Sequence, residues 1–227
     1  MSARQLTIAI DGPSGAGKGT VARTLAEYLG YRYVDTGAMY RAVAWKARQD
    51  GVNLESGEAV AAVADRAEIV LDPIVKVDGM DVTRAIRTPE IDAAATIVAR
   101  HPAVRAVLVA RQREYGHGGG IVMEGRDIGS VVFPSADVKF FLDAKPEERA
   151  RRRSVDPAHS SSSGEDVQGV AAALEARDRS DRTRATSPLV VAPDAIYIDT
   201  TPLAAAEVVS KVLAIVKGVL DKETIGH

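Results

Sequence analysis

Gly12, Gly15, Gly17, Lys18 and Gly19 stand together in "DGPSGAGKGT", between the apolar run Leu6 to Ile10 and a segment whose Val21, Leu25 and Leu29 share one helical face. Strand, glycine-rich turn and helix in that order make an anion cradle. Successive backbone N–H groups and the helix N-terminus point at one place, glycine permits close approach, and a lysine adds a positive charge on a flexible stem. Such a phosphate-binding loop is written G-x-x-x-x-G-K-[ST]. Gly12, Gly17 and Lys18 satisfy it, with Ser14, Gly15 and Ala16 between them, but Gly19 follows the lysine and Thr20 comes one position late. The plain alternative is a glycine-rich strand-to-helix turn without a ligand.

The displaced Thr20 separates kinds of phosphate-binding loop. Switch GTPases and many ATPases use the hydroxyl directly after the lysine as a magnesium ligand. Here that position has no side chain, so Mg2+ would be held by phosphates, water and remote carboxylates that the sequence does not identify. A guanine-specific switch also needs an Asn-Lys-x-Asp motif, and the chain's one asparagine is Asn53 in "GVNLES".

Gly-Lys-Gly-Thr is the form seen in nucleoside monophosphate kinases, and "DGPSGAGKGT" followed by "DTGAMYR" resembles bacterial cytidylate kinases. The resemblance continues in order through "IRTPE", "HPAVRAVLVARQR", "GRDIGSVVFP", "VKFFLDA", "ERARRR" and "RDRSDRTRA", covering nearly the whole chain. It implies transfer of the γ-phosphoryl group of ATP to CMP or dCMP, with Mg2+ entering on ATP. By the same resemblance the loop from Gly12 to Thr20, with Lys18 and Arg153, takes the donor. Thr36, Tyr40, Arg41, Arg126 and Arg184 take the acceptor phosphate, Thr96, Arg105 and Asp127 the cytosine, and Arg177 and Asp181 the sugar. Lys18, Arg41, Arg126 and Arg184 are the implied catalytic set. A kinase for UMP or AMP, and a nucleotide-binding regulator without turnover, are the competing readings.

Each of these residues also has a simpler reading. Arg41 could be a solvated helix charge, Thr96 a helix hydroxyl bonded to its own backbone, and Asp127 the partner of a nearby arginine. Arg177 and Asp181 are four apart and could form a surface salt bridge worth ~0.5 kcal/mol. Arg149, Arg151, Arg152 and Arg153 flank a polar stretch, and because consecutive helical residues face different ways, only some can meet the donor phosphates.

The elements that must position these groups alternate. "YRYVD", Tyr31 to Asp35, reads as a strand and "TGAMYRAVAWKARQDG" as a helix closed by Gly51, while "GGGIVMEG", "DVKFFLDA" and "DAIYIDTT" give three more apolar strands. The expectation is an α/β fold of the P-loop NTPase type, a five-stranded parallel sheet flanked by helices. Ala67 to Glu90 breaks the rhythm: β-branched runs flank Asp78-Gly79, a hairpin signal, and Thr88-Pro89-Glu90 then starts a helix that His101-Pro102 interrupts. We read a single kinase domain over 1–227. Within it we expect a small antiparallel monophosphate-binding insert at about 67–100 and a short lid at 149–170, containing the loop-like "DPAHSSSSGED". "PLAAAEVVSKVLAIVKGVL" is an amphipathic helix expected to pack on the sheet.

Composition bounds the rest. The chain has 227 residues, 46% of them hydrophobic and 26% charged, which suits a packed globular domain. A formal net charge of -2 gives no global field for nucleic acid or anionic membrane, so a polyanion must be met by a local cluster. The absence of cysteine excludes disulfides and thiolate chemistry, and the four scattered histidines do not have zinc-ligand spacing. No apolar run is long enough for a signal peptide or a bilayer span, and the expectation is a cytoplasmic monomer.

Overall fold

The computed structural model describes residues 5–71, 73–156 and 167–225. The chain begins with β1 (Thr7–Asp11), α1 (Lys18–Leu29), β2 (Arg32–Asp35), α2 (Thr36–Gln49) and α3 (Gly57–Arg66). Three two-residue strands follow, β3 (Ile69–Val70), β4 (Lys76–Val77) and β5 (Met80–Asp81), and then α4 (Pro89–Val98) and α5 (Pro102–Tyr115). The remainder is β6 (Ile121–Gly125), β7 (Val138–Asp143), α6 (Pro146–Ser154), α7 (Val167–Thr183), β8 (Ile196–Asp199) and α8 (Ala205–Ile225).

The five long strands form a parallel sheet in the order β2-β6-β1-β7-β8. The central strands are apolar on both faces because helices cover both: Ile8, Ile10, Val122, Phe140 and Leu142 pack under α1 and α8, and Ala9, Ile121 and Met123 face the other way. The expected C-terminal helix does pack on the sheet, through Val208, Val212 and Val216. β1 lies between β6 and β7, so a cleft opens beyond its carboxyl end, where a doubly wound sheet receives ligands.

β3, β4 and β5 make the small antiparallel sheet, with the β4–β5 hairpin turning at Asp78 (φ 50°) and Gly79 (φ 80°). It shares its core with α2, α3, α4 and α5 through Val77, Val82, Ile86, Val98 and Leu108. Thr88 caps α4 by accepting the Ile91 N–H, with Pro89 in the first turn, as the residue types require. Beyond the expected elements the fold has α3 and the wide turn Ile128–Val132, in which the Phe133 N–H reaches the Ile128 carbonyl. Residues 157–166, the centre of the expected lid, lie outside the described residues.

Among the described residues no single helix is long and apolar enough to cross a membrane. α4 and α5 pass such a test only as a pair bent by 99°, and both bury their apolar faces in the core just described. Phe140 is among the largest fully buried side chains. Phe140→Ala should destabilise the fold by about 3–5 kcal/mol, read as a lower denaturant midpoint at unchanged slope.

Candidate active site

The loop after β1 is shaped by its backbone. Gly12 has φ 145° and a Cβ there would collide with the Leu142 carbonyl, so only glycine lets the chain leave β1 beside β7. Gly12 itself does not line the cleft; Ser14, Gly15, Ala16, Gly17, Lys18, Gly19 and Thr20 do. From behind, Asp178 of α7 accepts the Ser14 N–H (3.3 Å) and pairs with Arg149, whose guanidinium also donates to the Ser14 carbonyl (3.1 Å). Arg149 is therefore a buttress of the loop and does not line the cleft.

Lys18 is buried and its Nζ donates to the Pro13 carbonyl at 2.7 Å, folded back over the loop. Burial, followed by the charge of Arg126, lowers its ammonium pKa to about 7. Gly19 explains the displaced threonine. A Cβ at Gly19 would stand 3.0 Å from Glu124 Oε1, so the place of a side chain after the lysine is filled by a carboxylate from β6. Tyr33 donates to that same oxygen at 2.5 Å, and burial, then the nearby Asp35, pushes the Glu124 pKa up. Among the described residues no group of three or more His, Cys, Asp or Glu could hold a metal by itself. Glu124 alone beside the loop suits a cation carried in by phosphates, which supply most of its ligands.

Opposite the loop, one cavity of about 580 Å³ continues from Ser14–Thr20 to a second wall. Asp35 caps α2 by accepting the Ala38 N–H, and it binds Arg41 (2.8 Å) and Arg87 (3.4 Å). Burial would raise Asp35, but the two guanidinium groups outweigh it and hold the carboxyl at about 2. Thr36 donates to the Glu124 carbonyl (2.7 Å), fixing the start of α2 against the end of β6. Arg126 binds Asp181 at 2.9 Å, and Arg184 reaches the same carboxylate at 3.4 Å. Burial opposes the Asp181 charge, yet Arg126, Arg177 and Arg184 together keep its pKa low.

Asp127 pairs with Arg105, both buried, and Arg184 Nη2 lies 3.8 Å from its other oxygen. Arg105 stands over the Tyr40 ring, 5.5 Å from its centroid. Arg41 Nε, Arg105 Nε and Arg184 Nη2 are buried without a hydrogen-bond partner, and all three residues line the cavity. Unpaired buried donors are costly, and so many around one space signals a polar, anionic ligand. Thr96 also lines the cavity, with its hydroxyl donating to the Asp92 carbonyl at 3.0 Å, the local helix bond that its type allows.

Every residue implied for the acceptor therefore meets in one cavity: Thr36, Tyr40, Arg41, Thr96, Arg105, Arg126, Asp127, Arg177, Asp181 and Arg184. The simple Arg177–Asp181 bridge does not form; Arg177 turns to Asp92 (3.3 Å) while Asp181 serves Arg126 and Arg184. Arg153 also pairs with Asp92, and it is Arg152 that stands beside Gly17, with its Nη1 3.8 Å from where a Cβ would be. Glu124, Asp35, Asp92 and Arg87 are site residues beyond those expected from sequence, and Arg152 is the one of the four flanking arginines that the structure brings to the loop. The signals available were an acid immediately before the Gly-Arg-Asp turn and an acid immediately before Thr36.

A five-stranded parallel sheet whose first strand feeds a lysine-bearing phosphate loop, with a small insert and an arginine-lined wall opposite, defines a P-loop kinase. The fold is shared at low identity with a gluconokinase from Sinorhizobium meliloti 1021 (TM-score 0.51, 12% identity, 99% of each chain). It is shared also with an uncharacterized protein from Eubacterium ventriosum ATCC 27560 (TM-score 0.53, 10% identity, 94% of this chain and 99% of that one). The family model described as cytidylate kinase matches residues 8–218, and the chain belongs to that family. It is 49% identical over 216 residues to a cytidylate kinase of Solibacter usitatus, covering 94% of this chain and 93% of that relative. It is 47% identical over 218 residues to one of Desulfitobacterium hafniense, covering 93% of each. A bifunctional pantoate ligase/cytidylate kinase of Synechococcus sp. is 48% identical over 203 residues, 87% of this chain and 41% of that protein.

The lowered Lys18 pKa makes a sign-definite prediction. At pH 8 a lysine with a pKa near 7 is mostly neutral, and phosphate anions beside it raise that pKa, so binding ATP draws a proton onto Lys18. Calorimetric titration in buffers of different ionisation enthalpy should report uptake of about one proton at pH 8 and far less at pH 6, where the free lysine is already charged. Lys18→Met should remove that difference. Equal proton uptake by the wild type and the variant would contradict it.

Proposed function

We propose that the protein transfers the γ-phosphoryl group of ATP to CMP or dCMP, giving ADP and CDP or dCDP. The observation that carries the reading is the continuity of one cavity from the phosphate loop to the buried guanidinium nitrogens of Arg41, Arg105 and Arg184 that lack a hydrogen bond. Family membership supports cytosine as the base.

In this reading the loop amides and Lys18 hold the ATP phosphates, and Arg152 and Arg153 of α6 add charge from the donor side. Arg41, Arg126 and Arg184, set by Asp35 and Asp181, hold the acceptor phosphate. Asp127 accepts from the cytosine amine while Arg105 and Thr96 donate to the ring acceptors, and Arg177 and Asp181 meet the sugar. The acceptor's phosphate oxygen is ionised at neutral pH. It forms the new bond to the γ-phosphorus as the bond to the β-bridging oxygen breaks and ADP departs. No serine, histidine or cysteine nucleophile is needed, and the chain's work is alignment and charge stabilisation. Mg2+ entering with ATP would neutralise its phosphates, and Glu124 is the side chain beside Gly19 that would hold the ion or its water.

Water in the same cavity would divert the phosphoryl group to hydrolysis, so closure is part of the proposal. We assign it to the insert at 67–100, whose helix α4 brings Thr96 to the acceptor, and to a lid at 149–170, whose helix α6 brings Arg152 and Arg153 to the donor. Both substrate sites are built from one chain, which supports action as a monomer. Its nucleotides are cytoplasmic metabolites, and the reading puts the enzyme with them.

A panel of CMP, dCMP, UMP and AMP at fixed ATP should give CMP or dCMP the highest kcat/KM. Asp127→Asn, which keeps the side-chain shape, should lower kcat/KM for CMP about 10- to 100-fold, or about 1.4–2.8 kcal/mol, with the KM for ATP nearly unchanged. AMP preferred by the wild type would overturn the acceptor, and CMP and UMP kinetics unaltered in the variant would overturn the role of Asp127.

A further inference from the structure

Asp92 is in the first turn of α4 and its side chain is 15% exposed. Each of its two oxygens takes an arginine from another helix. Oδ2 takes Arg153 Nη2 from the last turn of α6, and Oδ1 takes Arg177 Nη1 from α7 at 3.3 Å. Arg153 and Arg177 both line the cavity, and each gives Asp92 a single nitrogen of a five-donor fork. They are also like charges close together. Burial first, and then the charges of Arg177 and Arg41, lower Arg153 to about 10, against the opposing pull of Asp92. Asp92 thus neutralises a repulsion across the mouth of the cleft and clamps α4, which carries Thr96, to the two helices that carry Arg153 and Arg177.

We propose that Asp92 is a positioning residue that couples the two nucleotide sites: it holds Arg153, assigned to the donor in the reading above, and Arg177, assigned there to the acceptor sugar, on one carboxylate, so that ordering one by its nucleotide orders the other. The role rests on the two-substrate reading above but not on which base the acceptor carries. Arg153 drawn onto donor phosphates carries Asp92 and α4 with it, bringing Thr96 and Arg177 into register for the acceptor. Coupling of this kind is reciprocal, so the acceptor must tighten the donor by the same factor.

The test measures the Kd of the acceptor with and without a saturating non-hydrolysable ATP analogue carrying a β,γ-imido bridge. It uses CMP, or whichever monophosphate the panel ranks first, so failure of the base assignment is seen separately from failure of this role. The wild type should show tightening of about 5-fold or more, with the same factor for the analogue when the acceptor is saturating. Asp92→Asn keeps the shape and a weak acceptor but loses the charge. It should bring the factor to within about 2-fold of one while each nucleotide alone binds within about 3-fold of wild type. Glu175→Gln, which removes the exposed Glu175–Arg179 pair on α7, is the control and should leave the factor unchanged. A wild-type factor of one, an unaltered factor in Asp92→Asn, or a uniform loss of both single affinities with the factor preserved would each overturn the proposal.

Discussion

Asp11 is buried at the end of β1, and its two carboxylate oxygens accept the backbone N–H groups of Ile128 (2.8 Å) and Gly129 (2.7 Å). Those amides belong to the turn that follows β6 and carries Arg126 and Asp127 on its leading edge. One residue later in β1's own direction, Gly12 opens the phosphate loop. The carboxylate therefore fixes the donor half of the cleft against the acceptor half. Its burial is costly enough to push its pKa up to about 6 in spite of both hydrogen bonds and the charge of Lys18. A buried acid bonded only to backbone makes sense where the backbone position is what must be held, and the wide turn at Ile128–Val132 owes its shape to it.

The remaining carboxylates form a balance with the arginines of the second wall. Asp35 serves Arg41 and Arg87, Asp127 serves Arg105, Asp181 serves Arg126 and Arg184, and Asp92 serves Arg153 and Arg177. Each acid fixes the angle of a planar fork while leaving nitrogens for a ligand, which is why arginine, not lysine, dominates this wall. Buried pairs of this kind contribute little net stability, because desolvation offsets their attraction. Their effect here is preorganisation, since guanidinium groups already aimed at the cavity need not be ordered when a phosphate arrives.

The parts of the molecule governed by local rules were legible in the sequence. Five apolar strands, the glycine loop, the hairpin at Asp78-Gly79 and the Thr88-Pro89 helix start all follow from short-range pattern, and the structure has each of them. The wide turn at Ile128–Val132 follows no local pattern, because its amides are held by Asp11 far earlier in the chain, whereas α3, alanine-rich and with Val60, Val63 and Ala64 on one buried face, carries a local signal that the expected elements omit. The site divides the same way. Residue types aligned with a known family pointed to the cavity wall, but Asp92 and Glu124 gained meaning only from partners distant along the chain. Arg149 reads as one arginine in a run of four, and only the fold separates it, as the loop's buttress, from Arg152 and Arg153 in the cavity.

The phosphate loop and the arginine wall must act on two nucleotides in one event. Phosphorus NMR of the purified protein with ATP, Mg2+ and CMP follows every phosphate at once. The γ-resonance of ATP should be lost at the rate at which the two resonances of CDP appear, with no build-up of inorganic phosphate. Release of ADP and inorganic phosphate without CDP would contradict it.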